Sequence, residues 1–146
     1  MSTIQSLQEE LIAEFNELGD GFEQYSYLIE LSAALPPYPA ERRTEDRLVR
    51  GCQSHVWLDA WVQDGVFDFR ADSDTLIIRG VLAVLHELFA GQPAAEVAGA
   101  ELTLFSRTQL METFSDDRQK GIGYIVQRLQ NLAAALPGTD SLRGTF

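Results

Sequence analysis

Val56-Trp57-Leu58-Asp59-Ala60-Trp61-Val62-Gln63-Asp64-Gly65-Val66-Phe67-Asp68-Phe69 reads as a β-hairpin. Val56, Leu58, Ala60 and Val62 alternate with Trp57, Asp59, Trp61 and Gln63, the period of two that a strand imposes on its faces. Asp64-Gly65 then supplies the residues that a tight hairpin turn demands. Both faces of the first strand carry apolar or aromatic residues, so core packing accounts for Trp57 and Trp61. An aromatic left at the surface near Cys52 for a partner is the competing use. After the Asp72-Ser73-Asp74 turn, Thr75-Leu76-Ile77-Ile78 reads as a third strand. From Gly80 the spacing turns helical through Val81, Leu85 and Leu88, ending at Gly91.

Outward from the hairpin the chain is helical. Ile4, Leu7, Leu11, Phe15 and Leu18 form one apolar face, with Ser2 as N-cap and Gln5 completing a capping box. Asp20 caps a second helix carried by Phe22, Tyr25, Leu28, Ile29 and Leu35, which Pro36 brings to a stop. Residues 35 to 51 hold Pro36, Pro37 and Pro39 and then a charged stretch, an ordered connection toward Cys52. Downstream, residues 93 to 100 and 102 to 114 read as helices, and Ser115 caps a last one with Ile122, Ile125, Val126, Leu129 and Leu132 on one side. Gly121 and Gly123 near its start each cost about 1 kcal/mol relative to Ala, which calls for a packing or functional reason. The fold class is α+β: a short antiparallel three-stranded sheet packed by helices, with two N-terminal helices and a helical C-terminal half. Residues 1–137 form a single domain and 138–146 a flexible tail.

Composition narrows the function. A net charge of -11 opposes binding to a phosphate backbone, which needs clustered Lys and Arg, so nucleic acid is excluded as a partner. The longest apolar run, Val81 to Ala90, is interrupted by His86 and Glu87 and falls short of the roughly 20 residues that span a bilayer. With one cysteine, no internal disulfide can form, and the N-terminal residues lack a signal-peptide profile. The chain is therefore expected to be cytoplasmic and not membrane-bound. A homodimer is left open. Charge is uneven: residues 1 to 41 carry eight acids and no base, whereas 42 to 50 hold Arg42, Arg43, Arg47 and Arg50. Those arginines either pair with nearby acids as an ordinary surface or lower the pKa of the adjacent thiol.

That thiol is Cys52, in Arg50-Gly51-Cys52-Gln53-Ser54-His55-Val56-Trp57. A cysteine used only for packing is normally set among aliphatic residues, and this one has Gly, Gln and Ser beside it. Gly51 gives the backbone freedom to move the thiol between sheltered and exposed positions. A two-cysteine peroxidase would need a resolving thiol that the chain lacks. A Cys/His hydrolase would need His55 or His86 as its base. A carrier of persulfide sulfur needs only the thiolate, and an interaction module would need no thiol chemistry at all. One Cys and two widely spaced His match no metal-ligand spacing, so no metal is expected.

The strings Leu28-Ile29-Glu30-Leu31, Leu35-Pro36-Pro37, Leu48 through Leu58, Asp72-Ser73-Asp74 and Arg79-Gly80-Val81 stand in the order and spacing of the SufE family, which the chain resembles over about residues 8 to 135. Gly51-Cys52-Gln53-Ser54 followed by Val56-Trp57 is the most specific part. The resemblance implies a SufE/IscU-like α+β fold and a sulfur-acceptor protein, itself not an enzyme. A cysteine desulfurase of the SufS or CsdA type would load persulfide sulfur onto Cys52, for relay to an iron-sulfur scaffold. The pyridoxal phosphate belongs to the desulfurase, and this chain is expected to carry no cofactor. Gly51, Gln53, Ser54, His55, Asp74 and Arg118 match positions implied to hold the cysteine loop or the partner. Two departures stand out: Asp116-Asp117 occupy positions where the family more often has Pro-Ser, and His55 stands where it often has Gln.

Overall fold

A computed structural model describes residues 2–136; the tail expected at 138–146 lies outside the described residues. Helices α1 (Ile4–Glu17) and α2 (Gly21–Leu31) lead into three short 3-10 turns and the hairpin β1 (Val56–Gln63) and β2 (Val66–Ser73). Then follow α3 (Leu76–Phe89), β3 (Gln92–Pro93), α4 (Ala94–Gly99), α5 (Leu110–Thr113) and α6 (Asp116–Ala135). The sheet is antiparallel, ordered β1-β2-β3. The fold is thus the α+β arrangement read from the sequence.

The hairpin register pairs Val56 with Ser73 and Gln63 with Val66. At the turn Asp64 and Gly65 take positive φ, 53° and 80°, as the Asp-Gly pair requires. Val56, Leu58, Ala60, Val62, Phe67, Phe69 and Ala71 lie in one buried cluster with Leu82, Leu85, Leu88 and Phe89 of α3 and Ile122, Ile125 and Leu129 of α6. The opposite face carries Trp57, Asp59 and Trp61, with Arg43 over the Trp57 ring at 5.7 Å and Arg70 over Trp61 at 5.5 Å. Both faces are therefore covered.

Several sequence expectations shift. Thr75 to Ile78 is not a strand: Leu76 opens α3, because Ile77, Ile78, Val81, Leu82 and Leu85 form one continuous helical stripe into the core. The β-branched pair there follows tertiary burial over local propensity. The third strand is Gln92–Pro93, tied by Gly91 N–H to Phe67 O and Ala94 N–H to Gly65 O, both at 2.8 Å. The expected helix over 102 to 114 shrinks to α5. Buried Gln8 accepts the Thr103 and Leu104 N–H groups at 2.8 and 3.1 Å, and buried Gln24 accepts Gln109 N–H at 2.8 Å, so side chains satisfy backbone that would otherwise coil. The α1 cap is Thr3, not Ser2. Phe22 does not help bury α2; it is largely exposed, and Gln24 and Leu28 are buried instead. Asp20 and Ser115 cap α2 and α6 as the sequence indicated.

No helix of the described residues is long and apolar enough to cross a membrane. Helices α2 and α3 approach closely at Gly80, where a Cβ would lie 2.2 Å from the Leu28 carbonyl oxygen. Backbone cannot yield as a side-chain tip can. Gly80→Ala is expected to destabilise the fold by about 3 kcal/mol through overpacking, read in thermal unfolding as a fall of roughly 10 °C in Tm. A fall of under about 2 °C would show that α2 and α3 do not approach this closely.

Candidate functional site

Cys52 stands on a loop that leaves the connection at Val49 and enters β1 at Val56. Val49 N–H donates to Val56 O at 2.8 Å and Leu48 bridges to Trp57, so the loop is closed at its neck. Gly51 makes the bend with φ +90°, a region that side chains disfavour. Downstream of the thiol the loop is fastened to the β2–α3 junction. Ser73 Oγ donates to His55 O at 2.7 Å, Asp74 Oδ1 accepts His55 N–H at 3.1 Å, and Asp74 Oδ2 lies 2.9 Å from His55 Nδ1. Thr75 Oγ1 lies 2.7 Å from Ser54 Oγ. Some desolvation pushes the Asp74 carboxyl up, but hydrogen bonds from Thr75 and His55 outweigh it and hold Asp74 below its ordinary value.

The other wall is α6. Cys52 Sγ donates to the Gly121 carbonyl at 3.4 Å, and Gln53 Nε2 donates to Asp117 Oδ2 at 3.1 Å. A Cβ on Gly121 would contact Cys52 Sγ at 3.7 Å and its Cα at 3.9 Å. These are ordinary van der Waals distances, so the space beside the thiol would admit an alanine and packing does not account for this glycine; Gly123 faces open space. Cys52, Gln53, Ser54, Ile78, Asp117 and Arg118 are among the residues lining a cleft with about 340 Å³ of unfilled space, counting its open mouth. Asp116-Asp117 leave the helix start intact, since Ser115 Oγ accepts Arg118 N–H at 3.2 Å. Two acids in the first turn also suit the positive end of the helix.

Gly51, Gln53, Ser54, His55, Asp74 and Arg118 therefore gather around Cys52, whereas His86 does not. Gly51 bends the loop, Gln53 holds α6, Ser54 and His55 hold the β2–α3 junction through Thr75 and Asp74, and Arg118 lines the cleft. The sequence did not disclose Ser73, Thr75, Asp117 or Tyr124, whose ring packs on Gly51. The Ser73 and Thr75 hydroxyls flank Asp74 in the very turn already marked by Asp72-Ser73-Asp74, a signal that could have been read.

The arginine cluster does not act on the thiol as its nearness in sequence suggested. Arg47 Nε and Arg42 Nη1 lie 2.9 and 3.8 Å from buried Asp59, and Arg43 pairs with buried Asp72. With those cations committed to the sheet, burial pushes the Cys52 thiol up from its ordinary value. Nor does a base reach it: its hydrogen-bond partner is a carbonyl. His86 lies 3.2 Å from Arg70 Nη1 and 3.5 Å from Asp68, and His55 stacks on Trp57 with ring centroids 5.8 Å apart. Among the described residues no group of His, Cys, Asp and Glu is placed to hold a metal.

Cations without a carboxylate partner are few. Arg70, Arg79 and Arg107 also pair with acids. Among the described residues Arg50, Arg118, Lys120 and Arg128 do not, and each lines a cleft on or beside α6: Arg118 that of Cys52, Arg50 and Arg128 the neighbouring one with Tyr124.

Residues 9–133 match the SufE family, described as an Fe-S metabolism associated domain. An uncharacterized SufE-like protein of Rhizobium etli is 35% identical over 130 residues, covering 86% of this chain and 88% of that one. One from Rhizobium meliloti is 33% identical over 132 residues, covering 86% and 93%. The solution structure of a hypothetical protein from Thermus thermophilus shares the fold, with a TM-score of 0.73, 21% identity and coverage of 88% and 93%. The chain belongs to the SufE family.

Iodoacetamide alkylation of Cys52 in the folded protein is expected to accelerate with pH through a midpoint above the ordinary cysteine value. A raised thiol pKa leaves less thiolate at neutral pH, so the folded protein reacts more slowly than the denatured chain. A native midpoint below the ordinary value would instead mean that cationic neighbours govern the thiol.

Proposed function

We propose that this chain accepts persulfide sulfur from a cysteine desulfurase on Cys52, stimulates that enzyme by unloading it, and relays the sulfur into iron-sulfur cluster assembly. What carries the reading is the seat of the thiol: half-buried at the tip of a loop fastened on both sides, against a helix carbonyl and an open cleft, with no imidazole on it. The same geometry disfavours a Cys/His hydrolase, which needs a base on its nucleophile. Belonging to a family of Fe-S metabolism agrees with it.

In the step itself the Cys52 thiolate attacks the outer sulfur of the desulfurase persulfide. A new S–S bond forms on Cys52, the old one breaks, and the desulfurase cysteine leaves as thiolate and takes up a proton. Electrons balance without an external oxidant or reductant. A second thiol, on an iron-sulfur scaffold, repeats the attack and frees Cys52. The cleft limits access of stray thiols to the loaded sulfur between the two steps. Pyridoxal phosphate works in the desulfurase, of the SufS or CsdA type, and this chain acts in the cytoplasm without a cofactor of its own. Ser54, His55 and Asp74 hold one side of the loop and Gln53 the other, while Arg118 faces the incoming partner.

Charge supports the docking face. On a chain of net charge -11, three of the described cations not spent on internal pairs, Arg50, Arg118 and Arg128, line the Cys52 cleft or the one beside it, although Asp46 and Asp117 stand among them. This is where a partner with acidic groups at its active-site mouth meets least repulsion.

Intact mass after mixing with desulfurase and cysteine is expected to show a reductant-sensitive gain of sulfur that maps to Cys52. Cys52→Ser should fold, gain none and give no stimulation; undiminished stimulation by it would sink the proposal. Reversing charge with Arg50→Glu and Arg128→Glu should weaken half-maximal stimulation about fivefold at low salt. That deficit should largely vanish near 1 M salt, where the screening length is about 3 Å. An equal deficit at both salt concentrations would mean that the arginines do not steer docking.

A further inference from the structure

Gly51 does more than bend the loop. A Cβ built on it would lie 2.7 Å from both Cδ2 and Cε2 of Tyr124 and 3.3 Å from Cζ, so the tyrosine ring occupies the space that any side chain there would need. Tyr124 stands three residues after Gly121 on α6, and such residues share a helix face. One ledge of that helix therefore grips both halves of Gly51-Cys52. The ring sits on the glycine, and the Gly121 carbonyl takes the thiol at 3.4 Å.

Core packing does not account for the ring. Tyr124 is 44% exposed, and its hydroxyl has no hydrogen-bond partner among the described residues. What the ring does touch is the one residue whose backbone freedom the loop depends on. The remaining fastenings, Gln53 to Asp117, Ser54 to Thr75, and His55 to Ser73 and Asp74, all lie on the far side of the thiol. Upstream of Cys52, between the neck at Val49 and the thiol, the Tyr124 ring lies against Gly51.

We propose that Tyr124 is a positioning residue for Cys52: its ring, seated on Gly51, holds the loop closed with the thiol against α6, and displacing the ring releases the thiol to solvent. Tyr124 lines the same cleft as the unpaired Arg50 and Arg128. A partner docking on those cations meets the half-exposed ring, so arrival of the partner and release of the thiol are coupled through one side chain. That coupling rests on the sulfur-acceptor reading. The closed loop is a property of the free protein and is tested without a partner.

The experiment is alkylation of Cys52 by iodoacetamide in the isolated folded protein, followed across pH, together with thermal unfolding. Tyr124→Ala should react about tenfold faster at neutral pH, equivalent to ~1.4 kcal/mol of lost preference for the closed loop. Its pH midpoint should move down toward the ordinary cysteine value as the thiol is rehydrated. Tyr124→Phe keeps the ring and should stay within about twofold of the parent. A general loosening of the fold would also rehydrate the thiol and speed alkylation, but it would lower Tm in step, whereas release of the loop alone leaves Tm near that of the parent. The inference is overturned if Tyr124→Ala reacts within about twofold of the parent, if its midpoint stays put, or if Tyr124→Phe is as fast as the alanine variant. Loss of sulfur transfer from a desulfurase with these results intact would count against the sulfur-acceptor function and leave the latch standing.

Discussion

Two buried carboxylates on the outer face of the hairpin decide where the reactive loop lies. Asp59 and Asp72 are each only 6% exposed. A carboxylate taken that far from water is costly unless cations and hydrogen bonds compensate it. Asp59 finds Arg47, Arg42 and the Tyr38 hydroxyl, which donates at 2.7 Å; Asp72 finds Arg43 and Arg79. Burial, with Asp59 beside it, pushes the Tyr38 phenol well above its ordinary value, so it remains a donor. Residues 35 to 51 hold only short 3-10 turns, and these pairs fix their course across the sheet. The consequence is that the chain reaches Cys52 between the start of α3 and the start of α6.

The proposed sulfur transfer makes opposite demands on that thiol, for shelter and for reactivity. A thiolate attacks sulfur and a protonated thiol does not, yet a persulfide left in open solvent is lost to the first thiol it meets. The closed loop answers the second demand, since Cys52 is partly desolvated and its S–H donates to the Gly121 carbonyl. On the proposed latch, reactivity then comes from opening. Gly51 at φ +90° supplies the hinge, and the downstream fastenings to Asp74 and Thr75 keep the movement local to the loop.

Legibility in the sequence followed the range of the forces involved. The hairpin was plain, because alternation and an Asp-Gly turn are local consequences of strand geometry, and so were the Asp20 and Ser115 caps. The helix start at Leu76 was hidden, because Thr-Leu-Ile-Ile has strong strand propensity and only the stripe continuing through Leu82 and Leu85 reveals the helix. The unwound stretch after Leu102 was hidden more deeply, since Gln8 and Gln24, more than 80 residues away, supply its hydrogen-bond partners. At the site, Cys52 and the polar residues around it announced themselves by being out of place beside an apolar strand. Tyr124 did not, since a tyrosine on an amphipathic helix is ordinary until a glycine more than 70 residues earlier is seen beneath it.

Nearness in sequence also misled on charge, for an instructive reason. Arg42, Arg43 and Arg47 precede Cys52 within ten residues, but buried Asp59 and Asp72 bind them more strongly than a half-buried thiolate could. A cation is drawn first to the charge that is most expensive to leave unpaired. Cations left over after those demands are met stay at the surface, free to meet charge on another molecule. In this chain Arg50, Arg118 and Arg128 are such cations, and each lines a cleft at the Cys52 loop or next to it. By committing Arg42, Arg43, Arg47 and Arg79, the buried carboxylates of the sheet leave Arg50, Arg118 and Arg128 as the available arginines near the thiol.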